Sequence, residues 1–128
     1  MPHTLLIVDD SMVLRSMIAD LATEAGWQVA GQASNGQEAI ERYQDLRPDL
    51  VTLDLIMPEF DGMYALRGIR QVDPAAKVIV VSALEQKGVL REAFSCGATD
   101  FVLKPIDKPG LLNALMSVTS PALLESAP

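Results

Sequence analysis

A chain of 128 residues has room for one domain with one hydrophobic core, and 49% hydrophobic against 21% charged residues excludes a disordered or fibrous protein. Ten basic and seventeen acidic residues leave a net charge of −7, which argues against nonspecific grip on nucleic acid or anionic lipid and favours a cation or a basic protein surface as partner. The single cysteine, Cys96, excludes an internal disulfide, and the aliphatic runs are far too short to span a bilayer, so a reduced, cytoplasmic setting without membrane insertion is expected.

Short β-branched runs alternate with helical periodicity, the pattern of a parallel sheet covered on both faces. The first strand is expected over Leu5–Val8. A helix follows with Leu14, Met17, Ile18, Leu21 and Ala25 on one face, and Gly26 stops it. A second strand, Gln28–Gly31, leads to a helix that Asn35 caps, with Glu38 three residues on; Ala39, Tyr43 and Leu46 line its face and Pro48 forbids continuation. After a third strand, Leu50–Leu53, the segment "MPEFDG" with its turn residues Pro58 and Gly62 opens a helix carrying Met63, Leu66, Ile69 and Val72, which ends at Asp73-Pro74. The fourth strand is Val78–Val81, and its helix carries Val89, Ala93 and Cys96 before Gly97. The fifth strand is Phe101–Leu103; the last helix begins near Asp107, tolerates Pro109 in its first turn and buries Leu112, Leu115 and Met116. Five βα units result. They divide the chain into one domain over residues 1–119 and a tail over 120–128, where periodicity is lost.

In open parallel α/β sheets, ligands gather beyond the carboxyl ends of the strands. Four of the five expected strands end there in a polar group: Asp9 and Asp10, Asp54, Ser82 and Lys104. Two unit charges about 4 Å apart repel by roughly 4 kcal/mol at an effective dielectric of about 20, so three carboxylates need more than one lysine to offset them. Either one carboxyl takes a proton or a divalent cation occupies the site. Oxygen ligands without nearby His or Cys favour a hard ion, and a shallow wet site suits Mg²⁺. A carboxylate beside such an ion, flanked by a hydroxyl and a lysine, has the parts needed to accept a phosphoryl group, with Asp54 as nucleophile. Each residue taken singly has a plainer reading: Asp10 as a helix cap, Ser82 as a turn hydroxyl, Lys104 as a solvated charge.

The motifs "VDDS", "LDLIMPEFDG", "VIVVSAL" and "ATDFVLKP", in this order, resemble the receiver domain of two-component response regulators over roughly residues 3 to 118, in its stand-alone, CheY-like chemotaxis form. That resemblance implies a flavodoxin-like (βα)5 fold, doubly wound, with a five-stranded parallel sheet of order 2-1-3-4-5. It implies that Asp54 is the phosphoacceptor, that Asp9, Asp10, Asp54 and the backbone carbonyl of Ile56 hold Mg²⁺, and that Ser82 and Lys104 contact the phosphoryl group. The Lys104-Pro105 peptide would be cis, and Phe101 would be the switch aromatic, without the hydroxyl of the tyrosine often seen there; its plain alternative is a core strand residue. Ile56 and Leu84, two residues beyond Asp54 and Ser82, would restrict the water that attacks the phosphoryl group, or would pack loosely at the rim.

The partners so implied are a histidine kinase as phosphodonor and a protein target on the face built from the fourth helix, fifth strand and fifth helix, with a monomer or phosphorylation-dependent dimer and no direct nucleic-acid contact. The protein would be a phosphoacceptor rather than an enzyme, with self-catalysed phosphotransfer and autodephosphorylation at most. Several alternatives stay open: a receiver cut from a longer regulator, a receiver working without phosphorylation, and a small phosphatase with an aspartyl nucleophile. The last usually carries a D-x-D motif and a cap domain, for which this chain has neither the spacing nor the room. A flavodoxin-like phosphate binder would want a Gly/Ser/Thr-rich loop where "DDSM" stands.

Overall fold

Each β-branched run forms a strand and each amphipathic stretch a helix in the computed structural model, which describes residues 3–57, 60–83 and 87–119. The order is β1 (Thr4–Val8), α1 (Met12–Glu24), β2 (Gln28–Ala33), α2 (Gly36–Leu46), β3 (Leu50–Asp54), α3 (Gly62–Val72), β4 (Val78–Ser82), α4 (Lys87–Ser95), β5 (Asp100–Leu103) and α5 (Lys108–Thr119). All neighbours pair in parallel in the order β2-β1-β3-β4-β5. This is the flavodoxin-like order expected above. Pro58, Leu84 and the tail from residue 120 lie outside the described residues.

Side-chain alternation along the strands divides the core in two. Leu5, Ile7, Leu50, Ile79 and Val81 face Ile18, Ala22, Leu111 and Leu115 of α1 and α5, while Leu6, Val8, Val51, Leu53 and Val80 face Ala39, Tyr43, Leu66, Ile69 and Ala93 of α2, α3 and α4. Both faces are therefore buried, which is why the strands read as continuous apolar runs. Between β1 and β3 the connections diverge to opposite faces of the sheet, and this opens a crevice at their carboxyl ends.

The helices mostly end where their sequences stop them. Gly26 and Gly97 adopt φ +92° and +101°, the left-handed region that favours glycine. α2 ends two residues before Pro48, with its C-cap Arg47 left-handed at φ 44°. Three expectations need correction. The stripe on α5 is rotated: Leu111, Ala114, Leu115 and Val118 are buried, Leu112 is half-buried and Met116 is 65% exposed, because the face set by the docking of α5 on the sheet repeats at 111, 114/115 and 118. Ala25 and Leu46 are exposed at the C-terminal ends of their helices. Asp10 does not cap α1; Ser11 does, its Oγ accepting the Leu14 amide at 3.2 Å.

One buried polar residue inside a strand breaks the apolar pattern of the sheet. Thr52, in the middle of β3, is fully buried and its Oγ1 makes no hydrogen bond. An unsatisfied buried hydroxyl costs about 1–3 kcal/mol of desolvation, so Thr52→Val is expected to stabilise the fold by about 1 kcal/mol in urea unfolding. Lower stability in the variant would show that the hydroxyl has a partner after all.

Candidate functional site

The carboxyl ends of β1, β3, β4 and β5 carry the polar residues that the sequence puts there. Asp9 follows β1 directly and is buried; its amide donates to the Ala33 carbonyl at the end of β2, at 3.1 Å. Its Oδ1 accepts the Ser11 amide at 2.9 Å, whereas Oδ2 is buried without a hydrogen bond, 3.9 Å from Lys104 Nζ. Asp54 is the last residue of β3 and equally buried. Its Oδ1 accepts the Ile56 amide at 3.2 Å and lies 3.4 Å from Lys104 Nζ. Asp10 is exposed at the rim, yet one carboxylate oxygen from each of Asp9, Asp10 and Asp54 lies within 4.8 Å of the others.

Ser82 ends β4 fully buried, with Oγ donating to the Ala83 carbonyl at 3.2 Å. Its own carbonyl accepts the Lys104 amide at 2.8 Å, so the lysine backbone is tied to the strand that carries the hydroxyl. The Lys104-Pro105 peptide is cis. Three carboxylates and the ammonium are thus brought together, and the hydroxyl stands on the adjacent strand end. Phe101 departs from its core reading: it is 40% exposed on β5, edge-on to Phe94 of α4 with ring centroids 6.0 Å apart, and Leu103 is exposed two residues on. The Ile56 side chain is also exposed, at 49%.

Electrostatics follow from this placement. Burial, and then the neighbouring Asp9 charge, push the Asp54 carboxyl up to about 6, against the opposing pull of Lys104 and the Ile56 amide. Asp9 is raised as well, by burial first; the Ser11 amide and Lys104 hold it down, while Asp10 pushes it further up. A single lysine leaves this cluster short of positive charge. The buried, unpartnered Asp9 Oδ2 and the all-oxygen donor set fit a hard divalent cation such as Mg²⁺, and among the described residues no His or Cys joins the cluster.

Gly62 serves the site in a way the turn reading missed. Its φ is not left-handed, but a Cβ there would run into the Asp54 carbonyl oxygen and the Leu55 Cα, and its amide donates to the Leu55 carbonyl at 3.1 Å. The missing side chain lets the start of α3 press against the end of β3, directly behind Asp54. Two further residues escaped notice. Arg15 Nη1 donates to the Asp9 carbonyl at 2.7 Å and Nε to Gln32 Oε1 at 3.0 Å. A signal did exist: a basic residue near a helix N-terminus opposes the helix dipole and calls for another reason to be there.

Comparison with known proteins adds to this geometry. The family described as the response regulator receiver domain matches residues 5–116. The chain is 45% identical over 119 residues to the chemotaxis protein CheY of Thermotoga maritima, covering 93% of this chain and 99% of that one. It is 43% identical over 115 residues to the chemotaxis protein CheY of Bacillus subtilis, covering 90% and 96%. Among solved structures, a chain of the CheX-CheY-BeF3-Mg+2 complex from Borrelia burgdorferi superposes with a TM-score of 0.88 at 35% identity, covering 92% of this chain and 90% of that one.

Proposed function

The chain belongs to the response regulator receiver family and serves phosphorelay signalling, and on that premise we propose that Asp54 takes a phosphoryl group from a histidine kinase in a Mg²⁺-dependent step. The observation that carries this reading is the pairing of a buried, cation-seeking carboxylate with an ammonium: Asp54 Oδ1 lies 3.4 Å from Lys104 Nζ beside the Asp9–Asp10 pair. Asp9, Asp10, Asp54 and the Ile56 carbonyl would hold Mg²⁺. The ion, when bound, supplies charge neutralisation for the phosphoryl oxygens.

Oδ1 of Asp54 is engaged by Lys104 and the Ile56 amide, which leaves Oδ2 to attack phosphorus. The new P–O bond forms as the donor's P–N bond breaks and the imidazole departs with its electron pair. Lys104 pairs with a phosphoryl oxygen and the Ser82 hydroxyl donates to another. Ser82 is drawn toward the phosphoryl group, Phe101 turns from its outward position against Phe94, and the α4-β5-α5 face changes its affinity for a protein target. The reaction is stoichiometric phosphotransfer with autodephosphorylation at most, and the names of the CheY relatives favour a chemotaxis-type pathway. Residues 1–119 would form the receiver domain, with 120–128 as its tail. Among the described residues no helix is long and apolar enough to cross a membrane.

Incubation with Mg²⁺ and acetyl phosphate, followed by intact-protein mass measurement, tests the central step. Wild type is expected to gain one acid-labile phosphoryl group and Asp54→Asn none. An unmodified wild type overturns the reading. The exposed Ile56 side chain beside the site makes a second prediction: Ile56→Asn supplies a hydrogen-bonding group for the attacking water and should speed dephosphorylation several-fold, by about one hydrogen bond's worth of barrier. An unchanged or slower rate of phosphoryl loss would assign Ile56 to rim packing alone.

A further inference from the structure

We propose that Arg15, braced by Gln32, is a positioning residue that holds the Asp9–Asp10 turn in its cation-binding shape and so sets the affinity of the site. The inference rests on the Mg²⁺ site proposed above and concerns residues outside it.

Asp9 lies one residue beyond the end of β1, where β2 still receives its amide but the register with β3, which ends at Val8, no longer takes up its carbonyl. Its amide is fixed by the Ala33 carbonyl at 3.1 Å, and its carbonyl by Arg15 Nη1 at 2.7 Å. That carbonyl shares a rigid peptide plane with the amide of Asp10. Fixing the carbonyl therefore fixes the direction in which Asp10 leaves the chain. Asp10 needs this help, because its carboxylate is exposed at the rim.

The guanidinium is itself held. Nε donates to Gln32 Oε1 at 3.0 Å, and Gln32 lies on β2 next to Ala33, so one planar fork ties α1 and β2 to the β1–α1 turn. A lysine would supply the charge but not two donors in a fixed plane. The position also opposes the α1 dipole, since Arg15 is the fourth residue of a helix with no acidic group in its first turn.

Charge and positioning predict opposite signs. A positive group near a cation site repels the cation, so if Arg15 acts through charge alone, its removal tightens binding. If it acts by holding the Asp9 carbonyl, its removal weakens binding. Loss of one charge-assisted hydrogen bond that orders the site corresponds to about tenfold in affinity.

The test is calorimetric titration of MgCl₂ alone into the full chain at neutral pH and fixed ionic strength, for wild type, Arg15→Met, Arg15→Lys and Gln32→Ala, with urea unfolding of each. We expect both Arg15 variants to bind Mg²⁺ about tenfold more weakly and Gln32→Ala more weakly by a smaller factor, with urea midpoints close to wild type. In acetyl phosphate labelling, the half-saturating Mg²⁺ concentration should rise by more than the plateau rate falls. Arg15→Met binding as tightly as wild type, or tighter, overturns the inference while leaving the cation site intact. Arg15→Lys matching wild type would do the same for the fork geometry. If Arg15→Met fails to fold, Gln32→Ala decides, and wild-type affinity there overturns the bracing. A wild type that binds no Mg²⁺ overturns the cation site itself, and this inference with it.

Discussion

Without metal, Asp54→Asn is expected to be more stable than wild type at neutral pH by about 2–3 kcal/mol, although it removes the proposed phosphoacceptor. The Asp54 carboxyl sits at about 6 in the fold against an ordinary value of 3.8, because burial and the Asp9 charge both disfavour its ionised form. A raised carboxyl means that the native state binds more protons than the unfolded chain between roughly pH 4 and pH 6. Stability therefore falls as pH rises through that window and levels off above about 6. The asparagine keeps the shape and removes the buried charge. Lys104 loses one partner but keeps Asp9, 3.9 Å away, which trims the gain.

Urea unfolding in chelator across this pH range checks the claim. Wild type should lose stability from pH 4 to pH 6 more steeply than Asp54→Asn, in which only the raised Asp9 carboxyl still contributes to the slope, and saturating Mg²⁺ should restore stability at neutral pH in wild type far more than in the variant. Wild-type stability that rises through the window would sink the account. The same repulsion that weakens the empty fold is what makes the site select a cation.

Gly62→Ala carries the other large effect. Alanine is the better helix former by about 1 kcal/mol, so propensity alone predicts a gain. Sterics predict the reverse: the added methyl would meet the Asp54 carbonyl oxygen and the Leu55 Cα, backbone atoms that cannot swing aside as a side-chain tip would. Overpacking against backbone costs about 3 kcal/mol or more, well above the propensity gain. The expected outcome is a net loss of at least about 2 kcal/mol in urea unfolding, together with a phosphorylation rate depressed by an order of magnitude or more, because the end of β3 that carries Asp54 must move. Gly36 supplies an internal comparison. A Cβ there would meet the Phe60 and Asp61 carbonyl oxygens at 2.6 Å, on the same connection but away from Asp54. Gly36→Ala should therefore cost stability with less effect on phosphorylation. Gly62→Ala with wild-type stability would show that the β3–α3 contact yields easily.

Much of this could be read directly. Apolar runs bounded by Gly, Pro and Asp located all five strands within two residues of their ends, and Asn35, Asp107 and Gly97 stand at helix ends as their chemistry requires. Adjacent residues at one boundary were harder to tell apart. Asp10 and Ser11 are both good caps, and only the chain's path past β1 assigns capping to Ser11. Contacts distant in sequence left still less trace. Tyr43 on α2 donates to Asp73 at the end of α3 at 2.8 Å, which holds the Asp73 carboxyl below its usual range and, with burial acting first, pushes the tyrosine up to about 12.

Local chemistry determined the inventory: where strands stop, which of them stop in a carboxylate, a hydroxyl or a lysine, and that like charges so placed need a cation. Spacing along one chain carries that information because a strand end and a turn are local events. Only the assembled sheet decided which oxygen of Asp9 is spent on Ser11 and which is left bare, that Lys104 lies nearer Asp54 than Asp9, that Phe101 faces outward, and that Arg15 reaches back to the Asp9 carbonyl. The placements of Lys104 and Phe101 depend on helix docking and strand register, which bring together segments that for Lys104 and its carboxylates lie fifty and more residues apart. Arg15 is near in sequence; its position against the helix dipole marks it but does not specify its partner.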